Sequence, residues 1–261
     1  MKLPSPLPDS ATPLQVREHR IHTVLLWLSE FQISSVPILA QLVGLQPEFT
    51  ANTHTFFRSL ERDGFITLGK HPMVKSEHLV VAAPGAAHFL FIRGYVQSLY
   101  TDGGLISRSR NIFHDLSIQR VIAARLPDCA EIQGEYQLRL NTKMERYNRP
   151  DALITSHNGQ RIAYEYESSL KSRGRVYLGL QSHILAIDAK LYDAVVYFFP
   201  SRELKEKYEN FKRPAVWPLY EKEKEHGSVR RLNGTFDPKA NIKNIHFTVE
   251  SYYHDPHNIR S

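Results

Sequence analysis

In the first third of the chain, apolar side chains fall at Ile21, Val24, Leu25, Leu28 and Phe31. Steps of three and four residues put all five on one face of a helix and turn the charged residues between them outward. The next segment, SSVPILAQLVGL, opens on Ser34 and Ser35, either of which serves as an N-cap. It carries Pro37 in its first turn and ends at Gly44. A third helical pattern covers roughly residues 49–62, with Phe49, Phe56, Phe57 and Leu60 on one side, and stops at Asp63-Gly64. FITLGKHPMVKSEHLVVAAP then alternates about a Gly-Lys-His-Pro break, the pattern of a two-stranded ribbon. PGAAHFLFIRGYVQSL reads as one further helix.

Three short helices followed by a hairpin is the order of a winged helix-turn-helix, here expected over residues 15–100. In that motif the third helix enters the major groove of DNA. Its exposed side would offer Thr50, Asn52, Thr53, His54, Arg58 and Arg62, side chains that contact phosphates or base edges. Lys70, His71 and Lys75 in the ribbon would add phosphate contacts. A solvated helix face has the same composition, and winged helices also dock on proteins. Residues 1–14, with Pro4, Pro6, Pro8 and Pro13, read as a flexible tail.

The texture changes after TDGGLISRSR, residues 101–110, which reads as a linker. NIFHDLSIQRVIAARL is an amphipathic helix and EIQGEYQLRL alternates as a strand. RPDALITS and RIAYEYESS are two strands joined by His157-Asn158-Gly159-Gln160, and Asn-Gly is a strong hairpin signal. RVYLGLQSHILAIDAKL is helical, and the largely apolar YDAVVYFFP suits the middle of a sheet. SRELKEKYENF reads as a surface helix, EKEKEHGSVRRLNG as a charged loop, and NIHFTVESYY as a late strand. The expected class is therefore α/β (α+β): a winged helix-turn-helix followed by a mixed-sheet domain over residues 111–261.

The chain's 261 residues are 42% hydrophobic, enough for one large domain or two small ones. Its single cysteine, Cys129, excludes an intramolecular disulfide and a thiolate cluster for zinc, and suits a reducing cytoplasm. The opening MKLPSPLPDSATPLQ lacks the apolar core of a secretory signal, and no apolar run is long enough to cross a bilayer, so no membrane partner is expected. The net charge of +6 favours a polyanionic partner only mildly, because basic and acidic residues are mixed along the whole chain. There is no P-loop, G-x-G-x-x-G, G-x-S-x-G or H-E-x-x-H. His254 and His257, near Asp255, fall in a tail.

The candidate chemistry lies in RPDALITSHNGQRIAYEYESS, residues 149–169. Strand side chains alternate faces, so Glu165 and Glu167 project to one side. Across the hairpin, Asp151 at the start of one strand faces the end of the next. Three converging carboxylates repel one another unless a cation lies among them, and Mg²⁺ or Mn²⁺ takes a few such oxygens with room left for water. A metal held that way polarises a phosphodiester and activates water. Lys171, Arg173 and Arg175 follow at the turn into the next helix, where a cation would steady charge developing on phosphorus. The plain alternative is a solvated glutamate, or one paired with Arg149 or Arg161.

RPDALI…IAYEYESSLKS resembles the core of the PD-(D/E)xK phosphodiesterases over roughly residues 111–200. With a winged helix before it, and in the phrase IAYEYESS, the chain resembles the MobC-type relaxases of mobilisable plasmids and the related replication-relaxation proteins. The resemblance implies a restriction-endonuclease-like sheet domain. It also implies a nickase that binds an origin of transfer as duplex and single strand, works with accessory mobilisation or coupling proteins, and uses Mg²⁺ or Mn²⁺. It makes Asp151 and Glu165 metal ligands, with Glu167 standing where the family has a lysine and Lys171 placed to supply that cation from the helix side. Glu135 on the preceding strand is a candidate outer carboxylate, His114 and Asp115 on the helix before it are further candidates, and Gln181, which lies with His183 in the helix after the sheet, is a candidate site-lining amide. Many relaxases attack with a tyrosine. Tyr164 and Tyr166 face away from the glutamates, which leaves Tyr147 as the candidate nucleophile, beside the favoured metal-activated water. Two rival readings stand: a winged-helix regulator of replication or transfer without catalysis, and an endonuclease that cuts both strands.

Overall fold

The chain divides into two compact units, Met1–Pro127 and Asp128–Ser261. The computed structural model describes residues 1–46, 50–95, 99, 101–109, 111–223 and 228–250, with the backbone alone at 75, 105, 108, 239 and 240.

In the first unit, α1 (Pro13–Phe31) starts on a capping box between Thr12 and Gln15. A short β1 (Ile33–Ser35) leads into α2 (Val36–Leu42) and α3 (Ala51–Arg62). Then come β2 (Ile66–His71), β3 (Val74–Ala82), α4 (Pro84–Phe91), the single turn α5 (Leu105–Arg108) and α6 (Ile112–Ala123). The strands make an antiparallel sheet in the order β1-β3-β2. Val24, Leu25, Leu28, Leu39, Phe57, Leu60 and Val80 fill the core behind it. The helical spacing of the apolar residues therefore sets which faces turn inward.

Two expected boundaries are corrected. The buried Gln119 of α6 accepts from the Trp27 indole at 2.8 Å and donates to the Ile33 carbonyl at 2.8 Å. Both ends of its amide are satisfied, so α6 is fixed to α1 and β1. Ile106 of α5 is buried against Gly69, where an added Cβ would come within 2.9 Å of its Cδ1. Residues 101–109 thus pack on the first unit instead of linking two, and the second unit begins at Asp128, not 111. At the other end, Met1 is buried and its ammonium lies 3.3 Å from the buried Glu30 carboxylate, so the expected tail is tied down at its first residue.

The second unit runs β4 (Cys129–Gly134), α7 (Glu135–Arg139), β5 (Ala152–Ser156), β6 (Arg161–Tyr166), α8 (Arg173–Asp188), β7 (Ala194–Phe199), α9 (Arg202–Lys212), β8 (Trp217–Lys222), β9 (Val229–Phe236) and β10 (Ile245–Val249). Five strands form a mixed sheet in the order β10-β7-β6-β5-β4. β4, β5 and β6 are antiparallel, while β6, β7 and β10 are parallel. A tight turn at Asn158-Gly159, with Gly159 at φ 84°, closes β5 onto β6. The parallel step from β6 to β7 needs a crossover, and α8 supplies it. Leu153, Ala163, Val195 and Tyr197 share a core with Val176, Leu180 and Ile184 of α8. α9 adds Leu204 and Tyr208, one helical turn apart.

The expected strand EIQGEYQLRL is half strand and half helix, because Gly134 ends β4 and caps α7. The expected charged loop is largely the β8–β9 hairpin, joined by an Arg230–Glu221 ion pair, with residues 224–227 outside the described set. Among the described residues no helix is long and apolar enough to cross a membrane.

Two helical glycines separate packing from propensity. A Cβ at Gly179 of α8 would meet only the Tyr197 hydroxyl, at 3.7 Å, whereas a Cβ at Gly85 of α4 would fall 2.6 Å from the Gly64 carbonyl oxygen. Gly179→Ala should raise unfolding free energy by about 0.5–1 kcal/mol. Gly85→Ala should lower it by roughly 1–3 kcal/mol. Urea melts of the two variants check both signs.

Candidate functional site

The hairpin register sets the acidic group. Ala152 pairs with Tyr164, so Asp151 stands opposite Glu165 one step further along the antiparallel pair. The Asp151 carboxylate Oδ2 accepts from the Tyr166 backbone N–H at 2.7 Å, which holds it at the strand end. Glu165 and Glu167 share a face with Ala163, the face under α8, and each is only 5% exposed. Tyr164 and Tyr166 point to the other face, where Tyr164 packs edge-on against Phe198.

Lys171 ties these carboxylates together. Its Nζ donates to Glu167 Oε1 at 2.6 Å. Burial would pull the ammonium down, but Glu167, Glu165 and Asp151 act together to hold it above its ordinary value. Glu165 has a different partner: its Oε1 lies 3.1 Å from Nε2 of the fully buried His183 on α8. The approach is oblique, an electrostatic contact more than an aligned hydrogen bond. The other ring nitrogen, Nδ1, lies 2.6 Å from the Tyr192 hydroxyl.

Burial pushes His183 down to about 3, so its ring is neutral at pH 7 and carries one proton. The carboxylate only accepts, which assigns that proton to Nε2 and makes Tyr192 the donor to Nδ1. Burial, reinforced by Glu165, raises Tyr192 well above the usual phenol range and keeps its proton on. Tyr197 and Tyr208 are raised in the same way, by burial first and by the glutamates second.

Other expected site residues lie elsewhere. Glu135 is not on a strand but at the exposed start of α7, ion-paired with Arg139 at 2.6 Å. Gln181 is buried, but its Nε2 donates to the Pro218 carbonyl at 2.6 Å, so it clamps β8 to α8. It shares that stripe of α8 with Gly174, whose Cβ position abuts Tyr220 and Val229, and so lies apart from the stripe of His183. His114 and Asp115 sit on α6 of the first unit. Tyr147 is half-buried against the second unit's core. His254, Asp255 and His257 are outside the described residues.

Among the described residues no three Asp, Glu, His or Cys side chains are arranged to hold a metal ion together. A magnesium ion, however, is commonly bound by one or two carboxylates with water and substrate phosphate completing its shell. Asp151 and Glu165, held by a backbone amide and an uncharged imidazole, have the oxygen chemistry for that. Glu167, already in contact with an ammonium, is the poorer ligand.

In the first unit, Asn52, His54, Arg58 and Arg62 are exposed on α3, as expected. Thr50 is the N-cap, accepting from the Thr53 N–H. Thr53 is not on the exposed face: it is fully buried and donates to the Gln46 carbonyl at 2.9 Å. His71 is also buried, accepting from the Met73 N–H, and so is no phosphate contact. The Lys75 side chain lies outside the described residues. His54, Arg58 and the exposed Lys70 gather about His78 of β3. Burial first, and Lys70 and Arg58 next, lower the His78 pKa. Arg58 also contacts Glu61 at 2.7 Å, which offsets part of the charge.

No protein-family model, no curated protein and no solved structure matches the chain. The case for function therefore rests on the two constellations just described. The residues that sequence reading did not bring forward are Tyr192, Tyr208 and Lys222. Tyr208 had a signal, the four-residue step from Leu204 and the three-residue step to Phe211 inside a highly charged helix.

An unfolded chain protonates the His183 imidazole near pH 6.5, the folded chain only near 3, so between these values acid favours unfolding of the second unit. From this group alone stability should fall by up to about 1.4 kcal/mol per pH unit below pH 6. Urea melts followed by Trp217 fluorescence in a Trp27→Phe background should show that slope between pH 6 and 5. His183→Gln should be less stable at pH 7 and flatter below it; an unchanged slope would assign the acid sensitivity to other groups.

Proposed function

We propose that the chain is a DNA-binding nickase, of the kind its sequence resemblance to plasmid mobilisation relaxases implies. The first unit would select a duplex site and the second would cut one strand with Mg²⁺ or Mn²⁺. Support for DNA binding comes from the order α1–β1–α2–α3–β2–β3, which is that of a winged helix-turn-helix, with His54, Arg58 and Lys70 on one surface. Support for a nuclease core comes from the order β4–β5–β6–α8–β7, three antiparallel strands with a parallel fourth after a helical crossover.

The observation that carries the reading is the meeting of Asp151 and Glu165 across β5 and β6, within electrostatic range of Lys171. Asp151 and Glu165 would hold the metal, which when bound supplies Lewis-acid polarisation of the phosphodiester and a more acidic water. The chain's own residues do the rest. His183 steadies Glu165 from above, with its ring fixed by Tyr192. Lys171 supplies the positive charge that the family's lysine supplies from the strand, and Glu167 keeps it at the site until an anionic substrate competes for it. Tyr147 remains the candidate for a covalent route.

A second reading has its own support. With a glutamate in the lysine position, already neutralised by Lys171, the sheet domain suits a regulator of replication or transfer that binds DNA without cutting.

Supercoiled plasmid carrying a candidate transfer origin separates these readings. Relaxed circles in Mg²⁺ or Mn²⁺ mean nicking, linear product means double-strand cutting, and a retarded but intact plasmid means binding alone. Asp151→Ala and Glu165→Gln should each slow nicking by about a hundredfold or more and leave binding intact. Arg58→Ala and Lys70→Ala should weaken binding across sequences and lower the salt slope by about one each. Nicking at the parental rate in both carboxylate variants overturns the site.

A further inference from the structure

Beside the acidic group the second unit holds a cavity of about 270 Å³, with Glu167 and Lys171 in its wall. Its walls are the first turns of α8, the end of the β8–β9 hairpin and the rings of Tyr197 and Tyr208. Among the described residues three basic side chains line it, Lys171, Arg175 and Lys222, against one carboxylate, Glu167. Asn148 adds an amide at its edge. Glu167 is matched by Lys171 at 2.6 Å, which leaves the positive charge of Arg175 and Lys222 facing the cavity. The raised pKa values of Tyr197 and Tyr208 keep both phenols protonated, so neither adds negative charge.

We infer that this cavity binds a terminal phosphate, a phosphomonoester at the end of a nucleic-acid strand. Two excess positive charges match a monoester, which carries about −1.5 to −2 at pH 7, better than an internal diester with its single charge. A guanidinium and two ammonium groups supply the charge-assisted donors that phosphate oxygens accept. The volume sits just under the usual range of small-molecule pockets, roughly 300–1,000 Å³, so it takes one phosphate-bearing unit and not a duplex. The apolar walls of Val176, Leu178 and the tyrosine rings suit the sugar that follows. Phosphodiester hydrolysis produces an end of this kind, and Glu167 of the acidic group is part of the cavity wall. The assignment of the ligand to a cleaved strand rests on the nickase reading; the affinity for a phosphomonoester does not.

The test is titration calorimetry on the full chain in EDTA, so that metal binding and cutting play no part. The probes are a six-residue oligothymidylate with a 5′-phosphate, the same strand with a 3′-phosphate, the strand with hydroxyls at both ends, and thymidine 5′-monophosphate. One phosphorylated strand should bind at least about tenfold tighter than the hydroxyl strand. Arg175→Ala with Lys222→Ala should erase that preference, bringing the phosphorylated strand to the affinity of the hydroxyl strand. Thymidine monophosphate binding as tightly as the strand would keep the phosphate site and assign it to free nucleotide. Equal affinity for phosphorylated and hydroxyl strands, or a preference that survives in the double variant, overturns the inference. Because no cutting is measured, a chain that fails to nick yet keeps the preference sinks the nickase reading alone.

Discussion

Burying carboxylates beneath a helix is the constraint on which the second unit turns. Asp151, Glu165 and Glu167 come from two strand ends, and Glu165 and Glu167 are nearly inaccessible to water. Such groups are expensive to desolvate unless donors or cations meet them. A backbone amide meets Asp151, a neutral imidazole meets Glu165, and an ammonium meets Glu167. Each of these comes from a different source: β6 itself, the middle of α8, and the segment before α8. The crossover helix is therefore fixed to the sheet by polar contacts as well as by Val176, Leu180 and Ile184. An apolar sheet face would be easier to fold, so the acidic face asks for a functional account.

Three charge settings adjoin in the second unit: two carboxylates with neutral partners, the Glu167–Lys171 pair, and a cation-lined cavity that has this pair in its wall. A cation at the first and a phosphate at the last would each relieve a local imbalance of charge. Neutral His183 and the protonated tyrosines add no charge to this layout and hold its geometry. The first unit buries charge at one point, the Glu30 carboxylate against the Met1 ammonium, and satisfies both ends of the buried Gln119 amide, while His54, Arg58 and Lys70 stay exposed.

Much of this was legible in the residues. The helix at Ile21–Phe31, the ribbon after Asp63-Gly64, the Asn-Gly hairpin and the crossover before YDAVVYFFP all follow from period and turn chemistry, which are local. The opposition of Asp151 and Glu165 follows from the same alternation. What was not legible depends on tertiary partners. Thr53 is a polar residue that a helix wheel places outside, yet a carbonyl from the preceding loop draws it in. Gln181 and His183 are two positions apart on one helix, and only the packed hairpin shows that the first faces β8 and the second faces Glu165. EKEKEHGSVRRLNG has the charge of a loop, and cross-strand pairing makes most of it a ribbon. The unit boundary was hidden because Gln119 reaches partners about ninety residues away in sequence.

The central claim, that Asp151 and Glu165 stand together to hold a divalent cation, is tested most directly by crystals grown with manganese and measured at its absorption edge. The account predicts one anomalous peak about 2.1 Å from an oxygen of each carboxylate, with His183 still against Glu165. No peak at the strand ends in crystals that show manganese elsewhere, or a peak on Glu167 with Lys171 expelled, would contradict it.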